Sequence, residues 1–369
     1  MRNLDWNSFV IMHRNERVAT VDCTGGCVIH NAKFMPFNLY LIENASDMRS
    51  RLNNLDNFYY WCSSRVLTLD RKYAKEILNS LGKKQAVTDR DRADIAISYH
   101  GLSMTDVYWV QGENENLNFD EINLYSNSLA NSFVDVALCG KQLTAQNSQL
   151  IDDREVAGDV GTSGIAPKAW VRKQDGIYLY KDGNLRDVNA ELIASKIIDC
   201  FDVEHIRYTA DEYDGKKVTS CRLMTSANES IVPMEYVEIF AANNDLDKID
   251  LALKYDRYGY YMMNIVDYLV GNTDRHWGNW GFAVNNNDNS IIKLHALMDF
   301  NKAFNSYDTV DGAKCQTTLS NMSQKQAAVE AVKKVGLNQI CEIDRAWFEN
   351  VEIYEMFNKR LSVLKNALL

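Results

Sequence analysis

The stretch GNTDRHWGN, residues 271–279, is the part of the sequence that says most about fold and chemistry. It follows an apolar segment, Tyr260–Val270, whose periodicity predicts a helix. It precedes two strand-like segments, Trp280–Val284 and Ser290–Ala296, which are joined by a polar turn of sequence NNNDN. The stretch is therefore expected to form a loop between a helix and a β-hairpin.

Three side chains with oxygen atoms occur at defined places along this arrangement. Asp274 lies in the loop, Asn279 follows five residues later, and Asp299 comes directly after the hairpin. Phosphoryl transfer needs a carboxylate to take the proton of the acceptor hydroxyl, and oxygen ligands to hold Mg²⁺ against the phosphates. The spacing predicts Asp274 as the base and Asn279 and Asp299 as Mg²⁺ ligands.

A purely structural interpretation of the loop is the alternative. Asx side chains in loops commonly bond their own backbone, so the same residues would also suit a polar turn. The presence of Asp299 directly after the two following strands favours a catalytic site over a purely structural turn. His276 has no second histidine at metal-ligand spacing, and we interpret it as a hydrogen-bonded brace without a catalytic role.

Features expected of a nucleotide-binding region lie upstream of the loop. A turn of small residues can present backbone N–H groups to phosphates; it consists of Gly161, Thr162, Ser163 and Gly164. Lys168 begins one predicted strand and Lys181 ends the next, while Glu191 on the following helix is placed to pair with Lys181. Each feature alone is common in structural roles, and their order along the chain favours a kinase.

Hydrophobic periodicity and turn residues predict the remaining elements. Up to residue 138, the predicted strands are Phe9–Met12, Arg17–Val21, Cys27–Ile29 and Leu39–Ile42, and the predicted helices are Arg71–Leu81 and Arg90–Tyr99. The next region has predicted strands at Lys168–Val171, Gly176–Lys181, Ile206–Ala210 and Val218–Met224, and a helix at Asn189–Cys200. Further helices are predicted at Tyr236–Ala242, Leu246–Tyr255, Gln324–Val335 and Trp347–Leu368.

A β-rich half followed by a helical half predicts an α+β, bilobal protein-kinase-like fold with a cleft between the lobes. We expect three parts: an N-terminal α/β subdomain at 1–145, a β-rich nucleotide-binding lobe at 146–234 and a helical catalytic lobe at 235–369. The first part shows no chemical motif, so we expect it to be structural or to bind a partner.

Composition narrows the class of protein. The chain of 369 residues is 46% hydrophobic and 24% charged, as in ordinary globular proteins. Its net charge of −10 disfavours nucleic acid as a direct partner. The sequence has neither an apolar run of membrane-spanning length nor a signal-peptide pattern at its N-terminus. We therefore expect a cytoplasmic protein with reduced cysteines, export without a cleaved signal being the alternative.

The motifs together resemble those of the HipA-like kinases, which are bacterial serine/threonine kinases that include persistence toxins and a cell-translocating kinase. The resemblance rests on residues 164–169, on the strand that ends in Lys181, on the Asn-x-Asp-x-His-x-x-Asn run at 272–279, and on Asp299. It extends from about Asp159 to the end of the sequence. It implies a serine/threonine protein kinase that uses ATP and Mg²⁺ and acts on a protein substrate.

By similarity, Lys181 would contact the ATP phosphates, and the adenine would hydrogen-bond the chain near Arg222–Met224. Met224 therefore joins the expected nucleotide-binding residues. Some family members phosphorylate themselves on a serine at the position of Gly161, so that Thr162 or Ser163 would be the corresponding acceptor here. The family also implies a toxin role and an antitoxin-type regulator.

Two other functions suit parts of the same pattern. Phosphoinositide kinases share the Asp-Arg-His-x-x-Asn order found at 274–279, so a lipid or small-molecule kinase on this scaffold is an alternative. The second alternative is a nucleotide-binding pseudokinase or partner-binding module. The complete set of expected catalytic residues argues against it: Lys181, Asp274, Asn279 and Asp299.

Overall fold

The computed structural model describes residues 6–80, 88–127, 129, 131–141, 161, 165–305 and 307–369. The chain divides into two compact units. The first comprises Met1–Asp182 with two short later segments, Thr225–Ser230 and Asn285–Ser290. The second comprises the remainder of the chain from Gly183 onward.

A four-stranded antiparallel sheet forms the base of the first unit. Its strands are β1 (Ser8–His13), β2 (Glu16–Asp22), β3 (Cys27–Ile29) and β4 (Tyr108–Gly112), in the order β3-β2-β1-β4. All residues of β4, and all but the first of β1, are buried. The predicted β1–β2 hairpin and the predicted β3 are confirmed. Strand β4 was not predicted.

The first unit also contains several helices and a further hairpin. The helices are α1 (Met48–Ser63), α2 (Ala74–Ser80), α3 (Asp89–Ser98), α4 (Phe119–Ile122) and α5 (Asn131–Cys139), with a 3₁₀ turn at Ala32–Phe34. The hairpin of β5 (Lys168–Lys173) and β6 (Gly176–Lys181) follows. The helix predicted from Arg90 is confirmed as α3, which Thr88 and Asp91 begin with a reciprocal capping box.

The strand predicted at Leu39–Ile42 is wrong. This segment contains no strand, although Leu39 and Leu41 are buried as the pattern suggested. The fully buried side chain of Asn54 on α1 accepts a hydrogen bond from the Ile42 amide (2.7 Å) and donates one to the Ile42 carbonyl (2.9 Å). Because a side chain satisfies both backbone groups of Ile42, no neighbouring strand is needed there.

A buried arginine joins two loops of the first unit. The Arg65 guanidinium forms two hydrogen bonds with the Asp106 carboxylate (2.9 and 2.7 Å). The same side chain donates to the carbonyls of Gly101 (2.5 Å) and Tyr108 (2.9 Å). Arg65, which follows α1, thereby fixes the chain at the start of β4 through a planar, multidentate contact that a lysine could not make.

The second unit contains most of the later helices and strands. They are α6 (Leu185–Ile198), β7 (Thr209–Tyr213), β8 (Lys216–Arg222), β9 (Glu229–Pro233), α7 (Met234–Asn243), α8 (Lys248–Val270), β10 (Gly281–Asn285), β11 (Ser290–Leu294), α9 (Gln324–Val335) and α10 (Val351–Asn366). Strands β7 and β8 form a hairpin, and β9, β10 and β11 form a sheet in the order β11-β10-β9. The hairpin predicted after residue 279 and the helix predicted at Gln324–Val335 are confirmed; β9 was not predicted.

Helix α8 is kinked at Asp256, which has φ −154° and ψ 72° within an otherwise helical segment. The Asp256 carboxylate accepts hydrogen bonds from the amides of Gly259 (2.7 Å) and Leu294 (3.3 Å). It thus acts as a cap for the second half of the helix. The two helices predicted at Leu246–Tyr255 and Tyr260–Val270 are confirmed as the two halves of α8.

One pair of cysteines departs from the expectation that all are reduced. Cys200 and Cys341 form a disulfide, with their Cα atoms 4.8 Å apart. The bond joins the chain just after α6 to the segment between α9 and α10. Sequence spacing gave no signal for this pair, because the two residues are separated by 141 positions.

The observed architecture confirms the α+β fold class, since antiparallel strands predominate early and helices later. The division at 1–145, 146–234 and 235–369 stays a prediction. Among the residues that the structure describes, no helix is both long and apolar enough to cross a lipid bilayer.

Candidate active site

The loop at 271–279 begins where α8 ends, at Gly271. This glycine has a φ of +62°, in the left-handed region, and its N–H bonds back to the helix carbonyls of Asp267 and Tyr268. A Cβ at this position would lie 2.5 Å from the Tyr307 ring. Glycine is therefore required here both by the backbone conformation and by the lack of space for a side chain. It ends the helix and begins the loop.

Asn272 fixes the first part of the loop from within. Its side chain is buried and donates to the Asp267 carboxylate (3.2 Å) and to the carbonyl of Asp299 (3.3 Å), while its oxygen accepts from the Asp274 amide (3.2 Å). The carbonyl of Asn272 accepts a bond from the Gln324 side chain (2.6 Å). A single amide thus holds Asp274 and Asp299 to the same framework.

Arg275 connects the same two regions through a stronger set of contacts. Its guanidinium makes a bidentate ion pair with Asp267 on α8 (2.8 and 3.0 Å). One of its nitrogens also donates to the carbonyl of Asn279 (2.9 Å) and to that of Met298. One buried cation therefore fixes the backbone at Asn279 and at the residue before Asp299.

The charge of Arg275 persists despite its burial. Only 2% of its side chain is exposed, and burial by itself opposes the charged form. The adjacent Asp267 carboxylate outweighs that effect, so the pKa of Arg275 is raised. The ion pair is thus a permanent cross-link, and its desolvation cost is offset by four hydrogen bonds.

Asp274 and Asp299 lie close enough to influence each other electrostatically. Burial raises the pKa of Asp274, and the negative charge of Asp299 raises it further. His276, Lys302 and Arg275 act in the opposite direction. Asp299 itself has a φ of +60°, an unusual conformation for a residue with a side chain, which is found more often at functional sites.

The donor chemistry of these residues fits a Mg²⁺ ion. Two carboxylates that repel each other are both stabilised by a divalent cation. The Asn279 amide nitrogen donates to the Asp274 carbonyl (2.7 Å), so the oxygen of the same amide is the atom that can bind a cation. Carboxylate and amide oxygens are the hard ligands that Mg²⁺ prefers. Asn279 and Asp299 are the residues that would hold it.

His276 and Tyr208 support the site without belonging to the expected set. The Nδ1 atom of His276 accepts a hydrogen bond from the Gly278 amide (3.0 Å), as expected of a brace. The Tyr208 hydroxyl accepts one from the Asp299 amide (3.1 Å). Tyr208 was missed because nothing in the local sequence connects it with a residue 91 positions away.

Lys302 is the second residue that the sequence did not single out. It forms an ion pair with Asp187 in the first turn of α6 (2.6 Å), and its charge lowers the pKa of Asp274. Its position three residues after Asp299 was the available signal, although a lysine after an acidic residue is common. Lys302 adds a cation to a region that is otherwise rich in carboxylates.

The expected nucleotide-binding residues fall in both units. Lys168 and Lys181 belong to the first unit, where they are both buried and face each other across the β5–β6 hairpin. Glu191 and Met224 belong to the second unit with Asp274, Asn279 and Asp299. Glu191 is buried on α6 and accepts a hydrogen bond from Thr219 (2.7 Å). Gly161 lies in a turn, and Thr162, Ser163 and Gly164 lie outside the described residues.

Comparison with known proteins connects this geometry to one group. No protein-family model matches the chain. Its sequence is 23% identical to the serine/threonine-protein kinase CtkA of Helicobacter pylori (strain J99) over 155 residues, which are 38% of this chain. The match spans 47% of that relative, about half its length.

Two solved structures are similar to the chain. The HipA toxin of Shewanella oneidensis MR-1, in complex with HipB and operator DNA, has a TM-score of 0.58 at 10% identity, with 97% of each chain covered. The Helicobacter pylori proinflammatory kinase CtkA has a TM-score of 0.41 at 15% identity, with 55% of this chain and 92% of that chain covered. The chain thus has the fold of HipA over nearly its whole length, and with the partial sequence match to CtkA this confirms its resemblance to the HipA-like kinases.

Proposed function

We propose that the protein is a serine/threonine protein kinase that transfers the γ-phosphate of ATP in a Mg²⁺-dependent reaction. The observation that carries the proposal is the pair of Arg275 contacts, which tie the backbone at Asn279 to that at Met298, next to Asp299. These contacts hold two candidate metal ligands and the candidate base in one framework. Phosphoryl transfer depends mainly on such positioning and on charge neutralisation.

Asp274 is the proposed base. Its carboxylate would accept the proton of the acceptor hydroxyl as the phosphoryl group is transferred. Burial raises its pKa, which strengthens it as a proton acceptor while His276, Lys302 and Arg275 favour its ionised form. Mg²⁺, when bound by Asn279 and Asp299, would neutralise the charge of the phosphates.

Lys181 and Lys168 are the proposed phosphate-binding residues of the first unit. They occupy directly opposite positions of an antiparallel pair, so the two cationic residues lie at the same end of the hairpin. The anionic phosphates of ATP would be attracted to this end of the hairpin. Gly161, Thr162, Ser163, Gly164, Glu191 and Met224 complete the proposed nucleotide-binding set, and phosphorylation of Thr162 or Ser163 stays a prediction.

The proposal is tested with the variants Asp274→Asn and Asp299→Ala. Transfer of ³²P from labelled ATP to acceptor proteins should be lost in both, because one lacks the base and the other a metal ligand. The melting temperature of Asp274→Asn should stay near that of the wild type, and that of Asp299→Ala should fall by a few degrees at most, because alanine is strained at the φ of +60°. Asp245→Asn is the matched control, since Asp245 is an exposed residue with positive φ, a conformation that asparagine also tolerates.

The outcome also separates the alternatives. Full transfer activity in Asp274→Asn would remove the proposed base. Label that appears in lipids or small molecules rather than in proteins would favour the lipid or small-molecule kinase. ATP binding by calorimetry without any phosphate transfer would favour the pseudokinase. An antitoxin-type regulator, suggested by the HipB partner in the HipA complex, stays a prediction.

A further inference from the structure

A groove of about 440 Å³ lies in the second unit, and Asp274, Asn279 and Asp299 are not among the residues that line it. One wall is the part of α8 from its N-cap to Asn264, and the other is the segment 318–322 together with α9. Its volume is within the range of pockets that bind small ligands or single peptide segments. The mechanism proposed above makes no use of it.

The groove adjoins the catalytic loop through a short, well-anchored segment. Gln316 donates a hydrogen bond to the carbonyl of Thr273, the residue before Asp274 (2.8 Å). Thr317 is held by Asn264, which itself lines the groove, through a hydroxyl–amide bond (2.5 Å). Thr318 already belongs to the groove wall. Because two residues span at most about 7 Å, the groove wall begins within that distance of Gln316, the residue that bonds the loop at 271–279.

The chemical character of the groove is acidic with apolar patches. Asp247, Asp250 and Glu330 line it, and no lysine or arginine is among the described residues that do so. Apolar surface is supplied by Leu253 and by Leu319, whose side chain is 64% exposed. One cation stacks on a groove residue: the Arg257 guanidinium lies 5.8 Å from the ring centre of Tyr261.

We propose that this groove binds a segment of the acceptor protein that carries a basic side chain and an apolar side chain close to the phosphorylated serine or threonine. The inference rests on the proposed kinase function and names the substrate class of the same site. Asp250 and Glu330, on facing walls, would pair with the basic residue, and Leu319 and Leu253 would cover the apolar one.

Charge complementarity selects this occupant over others. A nucleic acid or an anionic phospholipid headgroup would be repelled by the three carboxylates. A basic peptide would instead be attracted by the same three carboxylates. Exposed ion pairs contribute modestly, so the groove would give selectivity among acceptor segments rather than very tight binding.

The test uses two fluorescent peptides of equal length that share one serine and one leucine and differ only in having two arginines or two glutamates. Fluorescence anisotropy with the full chain and no ATP measures their affinities. The arginine peptide should bind roughly tenfold more tightly at low ionic strength, and this preference should shrink as salt screens the charges.

The variant Asp250→Asn/Glu330→Gln should abolish most of that preference. The matched control is Glu352→Gln/Glu355→Gln, which neutralises two exposed carboxylates on α10 and should leave the preference intact. Equal affinities of the two peptides for the wild-type protein would overturn the proposal. So would equal loss in both double variants, or a change of oligomeric state in the groove variant without a change in peptide affinity.

Phosphate transfer to the same peptides keeps this test distinct from that of the kinase activity. Transfer with a higher kcat/KM for the arginine peptide would support both proposals. Selective binding without any transfer would count against the kinase activity and would leave the groove assignment supported. Transfer with no discrimination between the peptides would support the kinase activity and would count against the groove assignment.

Discussion

Two buried arginines, one in each unit, use the same physical device for different ends. Arg65 pairs with Asp106 and donates hydrogen bonds to two backbone carbonyls. Arg275 pairs with Asp267 and also donates hydrogen bonds to two backbone carbonyls. The carbonyls bound by Arg65 belong to residues with no assigned chemistry. Those bound by Arg275 belong to Asn279 and to the neighbour of Asp299. The two arginines therefore differ in the groups whose positions they fix, which for Arg275 include a proposed metal ligand.

The largest effect is expected from Arg275→Met. This change leaves the Asp267 carboxylate buried without its cation, which typically costs about 3–5 kcal/mol of unfolding free energy. It also releases the backbone at Asn279 and Met298, and misplacement by about 1 Å can lower the rate about a hundredfold. Chemical denaturation and ³²P transfer measure the two losses.

The double variant Arg275→Met/Asp267→Leu separates those losses. Removing both charges should restore part of the stability, because no buried charge is left uncompensated. Activity should stay low, since methionine cannot bond either carbonyl. Recovery of full activity together with stability would show that Arg275 acts only as a structural cross-link, and the two arginines would then be equivalent.

A smaller effect, confined to stability, is expected from Arg65→Met. Asp106 keeps 15% of its side chain exposed, so the loss should be about 3 kcal/mol, at the lower end for a broken buried pair. Below the unfolding transition, kcat and KM should match those of the wild type. A large fall in kcat at a temperature where the variant is fully folded would contradict the separation between the two arginines.

The smallest effect on stability is expected from Asn272→Ala, a change within the second unit. It leaves Arg275 in place and removes the amide that bonds Asp267 and the Asp299 carbonyl, at a cost of about 1–3 kcal/mol. We expect kcat/KM to fall about tenfold, equivalent to about 1.4 kcal/mol of transition-state stabilisation. Unchanged kinetics in a destabilised variant would assign all positioning to Arg275.

The sequence predicted the parts of the fold that depend on local pattern. The β1–β2 hairpin, α9 and the two halves of α8 follow from alternation or helical periodicity, and each was found. Helix α1 was missed although Asp47, which accepts a bond from the Ser50 amide (2.9 Å), marks its beginning. The strand at Leu39–Ile42 failed because Asn54, twelve residues beyond Ile42, satisfies that residue's backbone.

The candidate site divides in the same way. The Asp-x4-Asn spacing and the later Asp299 could be recognised because a loop and a hairpin place them by local geometry. The roles of Arg275, Tyr208 and Lys302 could not be derived from the sequence, because each depends on a contact made through folding of distant segments. Motif spacing identifies the atoms of a site, whereas their support becomes visible only in three dimensions.

The kink at Asp256 has a consequence for how the loop at 271–279 tolerates changes in chain length. Each residue of an α-helix advances its azimuth by about 100°. A one-residue deletion between Asp256 and Gly271 would therefore swing the loop around the helix axis by more than a quarter of a turn. After the same deletion between Lys248 and Tyr255, a change of the backbone angles at the non-helical residue Asp256 would compensate for the rotation. The first half of the helix should therefore tolerate a deletion better than the second half.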